Sequence, residues 1–97
     1  MTSKIKEVFV NIKAENRKAL ITYIVSGDPD TETTIEIMNS MVQQGTDIIE
    51  LGIPFSDPMA EGISIQKGHE RALEKGASLS GAFELLKKFR VKDKKTP

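Results

Sequence analysis

The sequence predicts an α/β fold with parallel strands. Two short runs of mostly apolar, β-branched residues alternate with segments whose apolar residues recur at helical spacing. Glycine and proline clusters punctuate the joins. Strands separated by whole helices are connected by right-handed crossovers, which makes them parallel neighbours in one sheet.

The elements follow in order. Residues 3–13 carry Ile5, Val8, Phe9 and Ile12, one apolar stripe of a helix. Residues 19–25 (Ala-Leu-Ile-Thr-Tyr-Ile-Val) read as a strand covered on both faces. Ser26-Gly27-Asp28-Pro29-Asp30 is a turn, and Asp30 or Thr31 can cap the next helix. That helix, 31–44, turns Ile35, Met38, Met41 and Val42 inward, and Gly45 ends it. Residues 46–51 are the second strand. Residues 52–62 form an irregular loop broken by Gly52, Pro54 and Pro58. Helices follow at 64–75, ended by Gly76, and at 80–92, capped by Ser80 with Ala82, Phe83, Leu86 and Phe89 inward.

Composition narrows the chemistry. The chain has 97 residues, with 14 Lys plus Arg against 14 Asp plus Glu, so nothing in its charge points to nucleic acid or an anionic membrane. It has no cysteine and one histidine, which excludes disulfides, thiolate nucleophiles and a multi-His metal site within these residues. No apolar run is long enough for a transmembrane helix, and no signal-peptide pattern opens the sequence, so a cytoplasmic location is expected. The basic stretch from Lys87 to Lys95 reads as the solvated end of a helix.

Two parallel strands leave two open edges and uncovered helix faces. The expectation is therefore that these residues are the N-terminal part of a longer α/β domain, with a third strand due after Pro97.

Glu50 is the first candidate for chemistry. A carboxylate near the C-terminal end of an apolar strand stands where parallel α/β folds place their sites. Burial there would favour its neutral form and fit it for proton transfer; the plainer alternative is a strand-end Glu reaching solvent or an ion pair. Glu61, ten residues on, would supply a second carboxylate if the loop folds back, or else is a surface residue. Tyr23 is either a core tyrosine or part of a pocket wall. His69 reads as part of a solvated helix face. No dinucleotide or ATP-binding glycine loop is present.

The string Ile49-Glu50-Leu51-Gly52-Ile53-Pro54-Phe55-Ser56-Asp57-Pro58 closely resembles the signature of the tryptophan synthase alpha subunit family. The likeness extends to Gly27-Asp28-Pro29 upstream and to Ala60-Glu61-Gly62, Ile65-Gln66 and Arg71-Ala72-Leu73 downstream, covering roughly residues 5–97. It implies a (β/α)8 barrel, usually about 250 residues long, of which this chain supplies the first two βα units. It implies retro-aldol cleavage of indole-3-glycerol phosphate to indole and glyceraldehyde 3-phosphate, with no metal or cofactor in this subunit. The implied partner is a beta subunit carrying pyridoxal phosphate, in an alpha2beta2 tetramer.

Carried over by position, Glu50 matches the general acid/base that protonates indole C3. Glu61 stands where aspartate usually faces the indole N–H, and Tyr23 where an aromatic lines the indole pocket. Pro54, Phe55, Ser56, Asp57 and Pro58 match the loop that orders over the site and touches the beta subunit. Two departures stand out. Glu61 is one methylene longer than the usual aspartate, and Ile63 replaces a proline at the start of the following helix. A longer side chain on a shifted loop can reach the same spot. The loops after strands 7 and 8, which usually hold the phosphate, are absent, so the chain alone is expected to be inactive. The alternative reading is a non-catalytic piece that only binds a beta subunit.

Overall fold

The computed structural model of the chain describes residues 3–56 and 61–97. Its elements are α1 (Lys4–Ala14), β1 (Ile21–Val25), α2 (Thr31–Gln43), β2 (Ile48–Gly52), α3 (Ile63–Glu74) and α4 (Leu79–Lys92). β1 and β2 pair in parallel with Ile21 opposite Ile48, Tyr23 opposite Glu50 and Val25 opposite Gly52.

Each strand begins two residues later than its sequence suggests. A side-chain clamp holds that corner. The Asp47 carboxylate accepts from Leu20 N–H at 2.8 Å and from both terminal nitrogens of Arg17, at 2.9 and 2.8 Å. These hydrogen bonds hold Asp47 below the usual carboxylate range, Arg17 first and Leu20 N–H second.

Alternation along the strands separates two faces. Ile24, Ile49 and Leu51 pack against Met38 of α2 and against Leu85 and Phe89 of α4. The other face carries Ile21, Tyr23 and Val25 beside Ile48, Glu50 and Gly52. β2 also donates Ile49 N–H to the Pro97 carbonyl at 2.9 Å, on the side away from β1. The segment after α4 thus runs back to the sheet, at the place where the sequence predicts a third strand.

Helix ends follow side-chain chemistry. Ser3 caps α1, and Asp30 caps α2 through Thr33 N–H at 2.7 Å. Gly45 and Gly76 adopt the positive φ that closes α2 and α3. α4 is capped by Ser78, which accepts from Gly81 N–H, and not by Ser80, because the helix starts one turn-position earlier than the sequence suggests. The inward face of α4 is Ala82, Leu85 and Phe89, spaced i, i+3, i+7. Phe83 lies on the neighbouring strip and is exposed. The α1 stripe buries Ile12 alone, leaving Ile5 and Phe9 largely exposed.

Thr34, fully buried in α2, shapes the turn after β1. Its hydroxyl accepts from Gly27 N–H at 3.2 Å and lies 2.7 Å from the Asp30 carbonyl, to which it donates. That turn presents Asp28, which grips Arg71 of α3 through two hydrogen bonds of 2.8 and 3.0 Å. Gly68 makes room for the grip, since a Cβ there would lie 2.9 Å from Asp28 Oδ2. This linkage sets α3 beside the C-terminal end of the strands.

Phe89→Ala removes the largest side chain of the core cluster and should cost about 3–5 kcal/mol, whereas Val91→Ala on the exposed side should change little; urea titration followed by circular dichroism checks both. Because the folded value of Asp47 is lowered, its stabilisation is present above the ordinary aspartate range and is lost as pH falls through the folded value. Asp47→Asn should therefore lower the melting temperature at neutral pH by several degrees and flatten the acid limb of a melting-temperature profile.

Candidate functional site

The open face of the parallel pair ends in a small polar constellation. Tyr23 and Glu50 are register partners, so their side chains leave the sheet on the same face. Gly52 stands diagonally beyond Tyr23, and a Cβ at that position would overlap the Tyr23 hydroxyl. The missing side chain is what lets the phenol lie across β2.

α3 brings the other half. His69 is 3 % exposed, in contrast to the solvated position that its charged neighbours suggest. It falls with Gly68 and Ala72 on the face that α3 buries, while Lys67, Glu70 and Arg71 point outward. Its Nδ1 accepts from Phe55 N–H at 2.9 Å. Its Nε2 lies 3.3 Å from the Tyr23 hydroxyl and 3.3 Å from Glu61 Oε2. Five residues from four stretches of sequence therefore converge: Tyr23, Glu50, Phe55, Glu61 and His69. The histidine is the member that sequence reasoning missed. A helix-face reading that placed Gly68 and Ala72 inward would have carried His69 with them.

Both carboxylates act on the phenol. Burial pushes Tyr23 above the ordinary tyrosine range, and the negative charges of Glu61 and then Glu50 push it further the same way. Glu61 is exposed and lies at ion-pair distance from His69. Glu50 is exposed, the plainer of the two readings of its position. The cause is geometric, because β1 is the only strand beside β2 among the described residues and α3 packs mainly on β1. Of the loop, Pro54 is buried, while Phe55 and Ser56 are exposed. Asp57 and Pro58 lie outside the described residues. α3 starts at Ile63 after Gly62, with no side-chain cap. The described residues hold no group of three or more His, Cys, Asp or Glu that could bind a metal.

The family model described as tryptophan synthase alpha chain matches residues 9–97. The chain belongs to that family. Over 95 residues it is 48% identical to the tryptophan synthase alpha chain of Burkholderia mallei and 50% identical to that of Dechloromonas aromatica, in each case covering 98% of this chain and 35% of the relative. It thus spans about a third of the length of those curated relatives. The crystal structure of tryptophan synthase subunit alpha from Legionella pneumophila superposes with a TM-score of 0.96 at 41% identity, covering 100% of this chain and 37% of that one. A chain of the tryptophan synthase a2b2 complex of Pyrococcus furiosus matches 79% of this chain and 32% of its own length, with a TM-score of 0.73 at 43% identity. The fold is accordingly that of the opening units of a tryptophan synthase alpha barrel.

The sequence contains one tyrosine and no tryptophan, so absorbance titration of the phenol reads Tyr23 alone. The expected midpoint lies above the ordinary tyrosine value. Glu61→Gln and Glu50→Gln should each bring it down, Glu61→Gln by more. A midpoint indifferent to both substitutions would separate the carboxylates from the phenol.

Proposed function

We propose that these residues are the acid/base part of an indole-3-glycerol phosphate lyase, the alpha activity of tryptophan synthase. The observation that carries the reading is the convergence of Glu50 and Glu61 on Tyr23 at the C-terminal end of a parallel pair. Retro-aldol cleavage needs a proton delivered to indole C3, a proton removed from the side-chain hydroxyl next to C3, and relief of the positive charge that appears on the indole nitrogen. Glu50 is the proton-transfer group. Glu61 faces the ring N–H and stabilises its charge. Tyr23 supplies the aromatic wall for the indole. When the bond to C3 breaks, the hydroxyl carbon becomes the aldehyde of glyceraldehyde 3-phosphate, and indole departs with the delivered proton.

The segment Pro54, Phe55, Ser56, Asp57 and Pro58 is proposed to contact a beta subunit that carries pyridoxal phosphate. The exposed Phe55 side chain, 59% accessible, supports that placement. A cytoplasmic setting fits a biosynthetic lyase, and no helix of the described residues is long and apolar enough to cross a membrane. A partner-binding role without catalysis draws on the same loop.

The exposure of Glu50 decides what the 97 residues can do alone. A general acid working near neutrality needs its charged form disfavoured by desolvation, and the substrate phosphate needs an anchor. Neither is furnished by the described residues. The isolated chain should give no turnover of indole-3-glycerol phosphate in a coupled assay for glyceraldehyde 3-phosphate. In a protein carrying these residues within a complete barrel, Glu50→Gln should lower kcat about 10²–10⁴-fold while ligand binding persists, because the amide keeps the shape and cannot transfer the proton. Undiminished cleavage would remove Glu50 from the role.

A further inference from the structure

We propose that His69 is a positioning residue, which aims the Glu61 carboxylate and ties it to the loop backbone at Phe55. The inference rests on the reading of Glu61 as the second functional carboxylate.

The ring is buried and has three polar neighbours, and their chemistry fixes its state. Phe55 N–H can only donate, so Nδ1 is committed as acceptor and the ring hydrogen belongs on Nε2. Two oxygens lie 3.3 Å from Nε2, the Tyr23 hydroxyl in a hydrogen bond and Glu61 Oε2 at ion-pair distance. A carboxylate oxygen beside an imidazole N–H takes the acceptor role, and we assign Glu61 as the partner that the Nε2 hydrogen serves. The Tyr23 oxygen is then the second acceptor of a shared bond. Its own hydroxyl hydrogen stays available to a group arriving at the mouth.

This answers the problem posed by the extra methylene at position 61. A longer side chain has one more rotatable bond, and a functional carboxylate has to be held to within about 0.5 Å of its working place. Backbone placement alone does not hold a glutamate that closely. A rigid ring, itself locked by a backbone N–H on the far side, does. The same lock makes Glu61 sensitive to the loop, since a shift of Phe55 releases Nδ1 and frees the ring to turn.

The test uses the 97-residue chain, in which His69 is the one histidine and its ring nitrogens are read without overlap. Nitrogen-15 NMR should show a single neutral tautomer with hydrogen on Nε2, and a Phe55 amide proton shifted downfield by its bond to Nδ1. Glu61→Gln should move the Nε2 hydrogen upfield and leave the Nδ1 and Phe55 signals in place. His69→Leu should release the Phe55 amide to fast solvent exchange. In a complete barrel, His69→Leu should lower kcat about 100-fold at nearly constant KM, with partial recovery in His69→Gln, whose amide can still donate to Glu61. Hydrogen on Nδ1, ring signals averaged as in free imidazole, or an Nε2 hydrogen indifferent to Glu61→Gln would overturn the proposal. The NMR signals do not depend on turnover. Failure of the lyase reading would therefore appear in the assay and leave them intact.

Discussion

The parallel register that sets Tyr23 beside Glu50 is the constraint on which the rest depends. Strand side chains alternate with a period of two, so slipping β2 by one residue would carry Glu50 to the helix-covered face and Ile49 to the mouth. Burying an unpaired carboxylate among Met38, Leu85 and Phe89 would cost several kcal/mol, and exposing Ile49 would forfeit apolar burial as well. Core packing therefore fixes the chemistry. The side chains of Ile24, Ile49 and Leu51 hold the register that presents Tyr23, Glu50 and the side-chain-free Gly52 together on the other face.

From that face the constraints run outward in a chain. Thr34 shapes the turn after β1, the turn presents Asp28, and Asp28 grips Arg71. Arg71 and His69 lie two positions apart on α3, one turned to solvent and the other buried. The ion pair on the outside thus sets the helix rotation that sends His69 inward. Arg71 is itself largely exposed, so the pair acts mainly through its bidentate geometry, and its Coulomb energy in water is small.

The sequence displayed much of this, for reasons that can be named. Helices and strands were legible because apolar spacing is a local signal, and caps at Asp30 and Gly45 because cap chemistry is local too. The strand starts were obscured by Asp47, whose partners Arg17 and Leu20 lie about thirty residues away in sequence. The inward face of α4 was misjudged at Phe83 because hydrophobicity alone does not say which of two adjacent strips meets the sheet. His69 was hidden by its company: charged residues at 67, 70 and 71 describe the outer face of α3, whereas Gly68 and Ala72 mark the inner face without being strongly apolar.

Glu50 is the residue whose two readings the sequence left open. An acidic residue among Ile48, Ile49 and Leu51 suggests burial, yet burial of a strand residue is supplied by what lies across from it, not by its neighbours in sequence. Here a polar group is assembled, with His69 in reach of Tyr23 and Glu61 and with Glu50 beside Tyr23, and the apolar walls that would desolvate Glu50 are not supplied by the described residues. The two have different physical origins. Hydrogen bonds of about 3 Å can be set by two strands, one loop and one helix. Removal of water from a carboxylate requires walls on every side, which a sheet with one other strand beside Glu50 cannot provide. Positioning of the polar groups is therefore set within the described βα units, whereas dehydration of Glu50 needs further walls.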